Sequence, residues 1–576
     1  MVALKDNITS NRLTIAVEEI APQTTTIRSL DWDRSRFDIE FGLQNGTTYN
    51  SFIIRGEKTA LVDTSHAKFR QQYLDTLQQQ IDLKDLDYLI ISHTEPDHSG
   101  LVKDVLELAP HITVVGAKVA LQFLDNLVHT PYERLMVKSG ESLDLGNGHV
   151  LDFVSAPNLH WPDTIFTYDR ATQTLFTCDA FGMHYCSDYT YDQNLAEIEA
   201  DYRFYYECLM APNARSVINA IKRMDKLGEV NTIATGHGPI LRHNVVELVG
   251  RYQDWSEAQT KAETTVAVFY YSDYGYSDRL SQAIAHGITK TGVAVEMMDL
   301  RSADSQEVRE LVEMAKGIVI GAPPISDEGS QTAEEAISTI LASANKKQVF
   351  GLYESGGGND LSVYPLQTKL NDAGLKQIFP SILIKETPHD TTYKLCEEAG
   401  TDLGQRLTVA KNVKQMKSLD NDLDKALGRL SGGLYIISAA KGEVNSAMLA
   451  SWISQASFEP LGLSIAVAKD RAIEALMQVD DRFVLNVLAE DNYQKLMKHF
   501  LKRFAPGADR FAGVDTQTAK NGSPILAEAV AYLECTVASR MELSDHWVIY
   551  ATVQNGRVSD PNALPAVHHR KVGNHY

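Results

Sequence analysis

The sequence predicts a multi-domain chain, two α/β domains followed by one built mainly of β-strands. Three observations predict it. The 576 residues exceed what one hydrophobic core organises, since a domain takes roughly 150 residues. Apolar runs bounded by turn residues change their grammar near Thr264 and again near Leu423, first to strict strand–helix alternation and then to strands joined by tight turns. The composition, 44% hydrophobic and 22% charged, is that of packed globular domains, not of a disordered or fibrous chain. The domains are expected at 25–260, 262–409 and 423–576, with the polar stretch KNVKQMKSLDND as a linker before the third.

Charge narrows the function classes. Seventy-five acidic residues against 54 basic ones leave a formal charge of −21, a field that opposes approach to nucleic acid and to anionic membranes. No nucleic-acid partner is expected. The chain also lacks an apolar run of the roughly 18–20 residues a bilayer-spanning helix needs, and MVALKDNITSNRLT has no basic-then-apolar leader pattern. No integral membrane segment and a cytoplasmic location follow as expectations. Five cysteines include no C-x-x-C pair, which argues against a disulfide framework or a zinc ribbon. A metal here would be held by imidazoles and carboxylates.

In the first domain the strand-like runs NSFIIRGEKTALVDTS, DYLIISH, ITVVGA, HVLDFVSA, TLFTCDA and VNTIATGHGP often end in His or Asp. Strand ends are where α/β and sandwich folds collect reactive groups. The sharpest signal is ISHTEPDHSG, carrying His93, Glu95, Asp97 and His98; an H-x-E-x-D-H pattern arises by chance in about one such chain in 500. In an extended segment positions 93, 95 and 97 project to one side, so an imidazole and two carboxylates can converge. Three further strand ends supply His160 in NLHWPDT, Asp179 in LFTCDAFG and His237 in ATGHGPI. Each alone reads more often as a structural cap. Together the four imidazoles and three carboxylates suffice for two metals roughly 3.5–4 Å apart that share Asp179. His66 and His184 stay outside this set as structural or supporting residues.

This order of ligands resembles the di-iron domain of the flavodiiron proteins, which is built on a metallo-β-lactamase-like αββα sandwich. The resemblance implies that His93, Glu95, His160 and Asp179 hold one iron and that Asp97, His98, Asp179 and His237 hold the other, the pair forming the catalytic centre. Glu95 stands where metallo-hydrolases of this fold place a His, and a carboxylate there favours iron or manganese over zinc.

In the second domain, strands TVAVFYY, KGIVIGAPP, KQVFGLYESG and FPSILIKE alternate with helical stretches such as SDRLSQAIAHGITKTG, the pattern of a doubly wound parallel sheet. Its first strand runs into Ser272, Asp273, Tyr274, Gly275, Tyr276 and Ser277 ahead of a helix, a turn able to take a phosphate. Ala322, Pro323, Pro324 and Ile325, then Ser355, Gly356 and Gly357, belong to loops at the same carboxyl edge of the sheet, where open α/β folds bind ligands. The pattern resembles a short-chain flavodoxin domain, which implies FMN held by these three loops.

The third segment offers GGLYIISAAKGE, LGLSIAVA, RFVLNVLA, AYLECTVASRM and HWVIYATVQNGRV, with Asn555-Gly556 as a turn signal. An antiparallel β-barrel with a few helices is predicted. With NSAMLASWISQASFEPLGLSIAV the segment resembles the flavin reductase family, a split β-barrel that takes hydride from NAD(P)H. The resemblance implies flavin contacts at Ser451, Trp452, Ile453, Gln455, Ala456 and Ser457, with Asn486 nearby, and a second flavin, FMN or FAD. Trp452 departs from the smaller polar residue more common there. His546 and the group His568, His569, Arg570 and Lys571 are candidates for binding flavin or nucleotide phosphates.

The domain order resembles the photosynthetic type of flavodiiron protein with a fused flavin reductase. That implies electrons passing from NAD(P)H, or a reduced carrier, through FMN to two iron ions, where O2 is reduced to water as a photoprotective electron sink, with NO as an alternative acceptor. It also implies a head-to-tail homo- or heterodimer, because FMN and di-iron centre of one chain lie far apart in the family. Two readings from other classes compete: a two-metal hydrolase with an appended flavin module, which Glu95 opposes, and a regulatory electron-transfer subunit, which the complete set of seven ligands opposes.

Overall fold

A computed structural model describes residues 12–37, 41–271, 276–301, 303–322, 330–354, 363–384, 387–418 and 422–569. In the first domain two sheets lie face to face. One takes its seven strands in chain order from Leu13–Ala21 to Glu133–Met136, antiparallel through Thr59–Val62 and parallel from there. The other runs Thr232–Thr235, Thr174–Cys178, Ile165–Asp169, His149–Ser155, Ser142–Gly146. The two-residue period of a strand sorts side chains between layers. Phe52, Ile54, Val62 and Ile90 meet Phe153, Ile165 and Phe176 between the sheets. Their neighbours Ile53, Leu61, Leu89 and Ile91 turn outward under Tyr73, Leu77, Val105 and Leu124 of the covering helices. On the far side Val154, Phe166 and Leu175 pack against Val217, Leu248 and Tyr252. The layers are helix, sheet, sheet, helix, the αββα sandwich expected.

The second domain is a parallel sheet in the order Ala294–Asp299, Thr265–Tyr270, Gly317–Ala322, Val349–Glu354, Lys376–Gln377, with Ile382–Leu383 also on Val349–Glu354. This is the doubly wound order. Val266, Val268 and Tyr270 face one helical layer; Ala267 and Phe269 face the other. In the first layer the helices Tyr276–Thr289 and Asp390–Ser418 approach until backbone meets backbone: a Cβ on Gly287 would stand 2.0 Å from the Glu397 carbonyl oxygen, and one on Gly400 2.0 Å from that of Ile284. The stretch read as a linker is helical as far as Ser418. No Gly or Pro occurs from Gln405 to Ser418, so nothing in that stretch stops the helix, which runs for 29 residues, about 43 Å.

The third domain is an antiparallel sheet in the order Val444–Ala450, Tyr435–Lys441, Arg482–Val487, Ala531–Glu542, His546–Val558, Leu461–Ala468, Ile453–Phe458. One face of these strands encloses a single core with Ile437, Ile465, Phe483, Val537 and Ile549. Its two edge strands are not paired with one another, so the sheet curls without closing by hydrogen bonds. Asn555-Gly556 is not a turn. It lies inside His546–Val558 at a register shift, where Asn555 Nδ2 donates to Glu534 Oε1 at 2.9 Å. The dipeptide marks a bulge because the partner strand Ala531–Glu542 continues pairing past it.

Buried charge joins the second and third domains. Lys290 pairs with Glu397 and, at 2.9 Å, with Glu474; Lys394 reaches Glu397 at 2.6 Å, and Arg540 pairs with Glu474. Burial by itself would raise the Glu397 carboxyl, but Lys290 and Lys394 outweigh it and hold the group down to about 2. Glu474 is likewise held below the carboxylate range by Lys290 and Arg540 against burial. From the first domain, Arg36 pairs with Asp481.

Glu474→Ala leaves Lys290 and Arg540 buried without their shared partner and is expected to cost about 3–5 kcal/mol, measured by denaturant unfolding of the full chain. Because the Glu397 carboxyl is lowered, its contribution is present above its ordinary value of 4.5 and lost as pH falls through about 2. The stability gap between the native chain and Glu397→Gln should therefore close across that window in an acid titration followed by near-UV circular dichroism.

Candidate metal centre

Four strand ends build the site. Strand Leu86–Ile91 leads directly to His93 and Glu95, and Pro96 then opens the short helix Pro96–Ser99. That helix corrects the simple alternation expected for 93, 95 and 97. Proline suits the first helical position, and the turn it starts carries Asp97 and His98 to a second cluster instead of stacking Asp97 beside Glu95. His160 follows strand His149–Ser155, and His237 follows Thr232–Thr235. Asp179 directly follows Thr174–Cys178, where a register shift between Phe176 and Cys178 and a φ of 52° at Cys178 bend the chain.

The structure brings all seven residues together as two groups around Asp179. Its Oδ2 lies 3.5 Å from His93 Nε2 and 3.2 Å from His160 Nε2, while its Oδ1 lies 2.9 Å from His98 Nε2 and 3.3 Å from His237 Nε2. Glu95 completes the first group at 3.3 Å from His93 and 3.1 Å from His160. Asp97 completes the second at 3.6 Å from His98 and 3.3 Å from His237. Ligand atoms about 2.0–2.2 Å from a common ion stand roughly 3.0–3.5 Å from one another. The donor set thus fits two cations. Buried Asp97 Oδ1 and Asp179 Oδ2 make no hydrogen bond among the described residues, as oxygens reserved for a metal would not. The four imidazoles are at most 4% exposed, whereas Glu95 and Asp97 are 29% and 22% exposed, so the carboxylates line the open side.

Electrostatics agree. Burial opposes the imidazolium of His160, yet Glu95 and Asp179 outweigh it and raise the ring to about 9; His237 rises to about 10 against the same burial through Asp179 and Asp97. Burial would raise Asp179, but His98, His160 and His237 hold it well below the carboxylate range. Without cations the rings hold protons, and metal binding would displace them.

Each remaining ring nitrogen has its own setting. His93 Nδ1 is 2.8 Å from Asp163 Oδ1, and Asp163 Oδ2 accepts from the Thr94 N–H at 2.8 Å and its hydroxyl at 2.5 Å. His237 Nδ1 is 2.6 Å from the Thr48 carbonyl oxygen. His160 Nδ1 is 2.8 Å from the Gln282 amide nitrogen Nε2. None of these partners was singled out from the sequence. Asp163 lies within NLHWPDT and was within reach; Thr48 acts through its backbone, and Gln282 belongs to another domain. His184 pairs with Thr47 Oγ1 at 2.8 Å, and His66 accepts from the Lys68 N–H; neither joins the clusters.

Of the FMN loops, Ser272, Asp273, Tyr274, Gly275, Pro323, Pro324, Ile325, Ser355, Gly356 and Gly357 lie outside the described residues. Tyr276 and Ser277 open the helix Tyr276–Thr289, and Ala322 ends the strand Gly317–Ala322. In the third domain a cavity of about 570 Å³ is lined by Ser451, Met448, Arg471, Phe500, Arg503 and His568 and walled by helix Asp390–Ser418, within the size range of cofactor sites. The buried Ser451 hydroxyl has no hydrogen-bond partner among the described residues. The other expected flavin contacts are not gathered there. Ile453, Gln455, Ala456 and Ser457 lie on the edge strand Ile453–Phe458, and Ser457 Oγ donates to the Pro460 carbonyl at 2.6 Å. Asn486 is buried and fully engaged with Ile436, Ser438 and Leu526. The Trp452 and His546 rings stand 5.2 Å apart, His569 is exposed, and Arg570 and Lys571 lie outside the described residues.

Three family models match the chain in succession: ODP family beta lactamase at residues 47–238, Flavodoxin at 268–400 and Flavin reductase like domain at 427–574. With the site above they define a flavoprotein oxidoreductase with a metallo-β-lactamase-like domain. Among curated relatives, Diflavin flavoprotein A 1 of Synechocystis sp. is 67% identical over 98% of both chains. Among solved structures, a metal-soaked Flv1 flavodiiron core from Synechocystis sp. is 37% identical with a TM-score of 0.63, covering 69% of this chain and 99% of that one. The chain belongs to the diflavin flavoproteins of the flavodiiron family.

Metal-free protein dialysed anaerobically against Fe2+ is expected to take up two equivalents per chain. Asp163→Ala should weaken uptake about 10–100-fold at the group containing His93 and spare the other, whereas Asp179→Ala should weaken both.

Proposed function

We propose that this chain is an NAD(P)H:oxygen oxidoreductase that reduces O2 to water at a di-iron centre fed by FMN. The observation that carries the reading is the pair of His–carboxylate groups sharing Asp179. His93, Glu95, His160 and Asp179 would hold one iron, and Asp97, His98, Asp179 and His237 the other. When bound, the iron pair and the flavins supply the redox chemistry.

The chain's own residues shape that chemistry. Asp163 and the Thr48 carbonyl oxygen hold His93 and His237 with Nε2 turned to Asp179, where the metals would be held. Glu95 and Asp97, on the open side, meet an entering diatomic molecule first and suit a hard cation such as iron. The buried walls keep bulk water from the imidazoles. FMN would sit at the carboxyl edge of the flavodoxin-like sheet, and the cavity beside Ser451 would take the nicotinamide donor or a second flavin, FMN or FAD. A reduced carrier is the alternative donor. Among the described residues no helix is long and apolar enough to cross a membrane, which supports a cytoplasmic location.

Iron- and FMN-loaded protein given NADPH should consume O2 with two NADPH oxidised per O2 and no peroxide, and His93→Ala combined with Asp179→Ala should abolish this. Persistent NADPH oxidation with peroxide in the double variant would reduce the protein to a flavin reductase with a structural metal domain. Consumption of NO but not O2 would make NO the acceptor. Head-to-tail pairing with a second copy or a paralogue belongs to the same reading, and sedimentation of the loaded chain as a monomer would remove it.

A further inference from the structure

The ligand rings differ in what holds them. Asp163 and Thr48, which secure His93 and His237, belong to the metal domain itself, and His98 Nδ1 has no hydrogen-bond partner among the described residues. His160 is held from a different domain. Gln282 sits on the helix Tyr276–Thr289 of the flavodoxin-like domain, is 9% exposed, and places its amide nitrogen Nε2 2.8 Å from His160 Nδ1. Close by, Tyr270 at the end of the strand Thr265–Tyr270 donates its hydroxyl to Asn158 Oδ1 at 3.5 Å. The strand end and the first helix of this domain therefore both rest on the loop that carries His160 in the same chain.

We infer that Gln282 is a positioning residue for the metal centre, through which the seating of the flavodoxin-like domain sets the orientation and tautomer of His160. The inference rests on His160 being a metal ligand. An imidazole that coordinates through Nε2 keeps its proton on Nδ1 and needs an acceptor there. As placed, the Gln282 NH2 donates to Nδ1 of the tautomer that carries its proton on Nε2; a half-turn about the last side-chain bond turns the amide oxygen to Nδ1, where it accepts the proton of the Nε2-coordinating form. Leucine, of similar size, does neither; glutamate can only accept. A shift of the flavodoxin-like domain would withdraw the amide and leave Nδ1 buried without a partner, so tight binding in the His93–His160 group requires the docked arrangement. This ties the domain expected to deliver electrons to the iron expected to receive them.

The test uses metal-free full-length chain titrated with Co2+, followed by its visible absorption, in native protein, Gln282→Leu, Gln282→Glu and His160→Ala. Gln282→Leu is expected to weaken one of two Co2+ sites by about 10–100-fold and leave the other unchanged, matching the site that His160→Ala loses, with Gln282→Glu restoring it. Equal binding by Gln282→Leu and native protein overturns the inference, as does equal weakening of both sites or the same loss in Gln282→Glu, which would mark a purely structural contact. If native protein binds no Co2+, or His160→Ala leaves both sites intact, the ligand assignment itself falls, a result distinct from failure of the Gln282 role.

Discussion

The Asp179 carboxylate, buried among four imidazoles, is the interaction on which the first domain depends. An ionised carboxylate taken from water costs several kcal/mol unless charge and hydrogen bonds compensate it. Here compensation comes from His93, His98, His160 and His237, two on each oxygen, and they arrive from three other strand ends. The fold and the site therefore constrain one another. The sandwich must bring both sheets' ends into register for the carboxylate to be satisfied, and the charges in that cleft leave it poised for cations that displace the imidazole protons.

The same logic recurs, in a different form, where the second and third domains meet. Lys290, Lys394, Glu397, Glu474 and Arg540 are buried as a connected set, in which Lys290–Glu474 is the pair that crosses between the domains and the others neutralise its two members from their own sides. Helix Asp390–Ser418 is the common wall. One face packs backbone to backbone on the flavodoxin-like domain through Gly400; another borders the cavity of the flavin reductase-like domain. Two flavin-type domains thus share one helix, and the first of them reaches the loop of His160 through Gln282 and Tyr270.

Legibility followed how local each determinant is. The candidate ligands His93, Glu95, Asp97 and His98 lie within six residues of one another, and His160, Asp179 and His237 each follow a strand-like run, so residue type and position relative to a strand were enough to nominate them. The residues expected to contact flavin in the third domain do not share one surface. Ser451 faces a cavity, while Gln455 and Ser457, a few residues on, occupy an edge strand, and Asn486 spends its amide on the sheet's own backbone. Polar residues in a strand look alike in sequence whether they serve a ligand or the fold. The Asn555-Gly556 dipeptide misled for a related reason: a turn requires a following strand to fold back, and only the partner strand's length reveals that pairing continues past it.

What the sequence by itself determined is the succession of three domains, their strand and helix periods and the nomination of the seven candidate metal-site residues, because these rest on local chemistry and on spacing along the chain. Only the tertiary structure decided that the turn opened by Pro96 separates Asp97 from Glu95, which groups orient the rings, and that Gln282, 122 residues from His160, stands beside it. Such pairings depend on where the domains come to rest against one another, which is set by packing across interfaces and leaves no periodic trace in the chain.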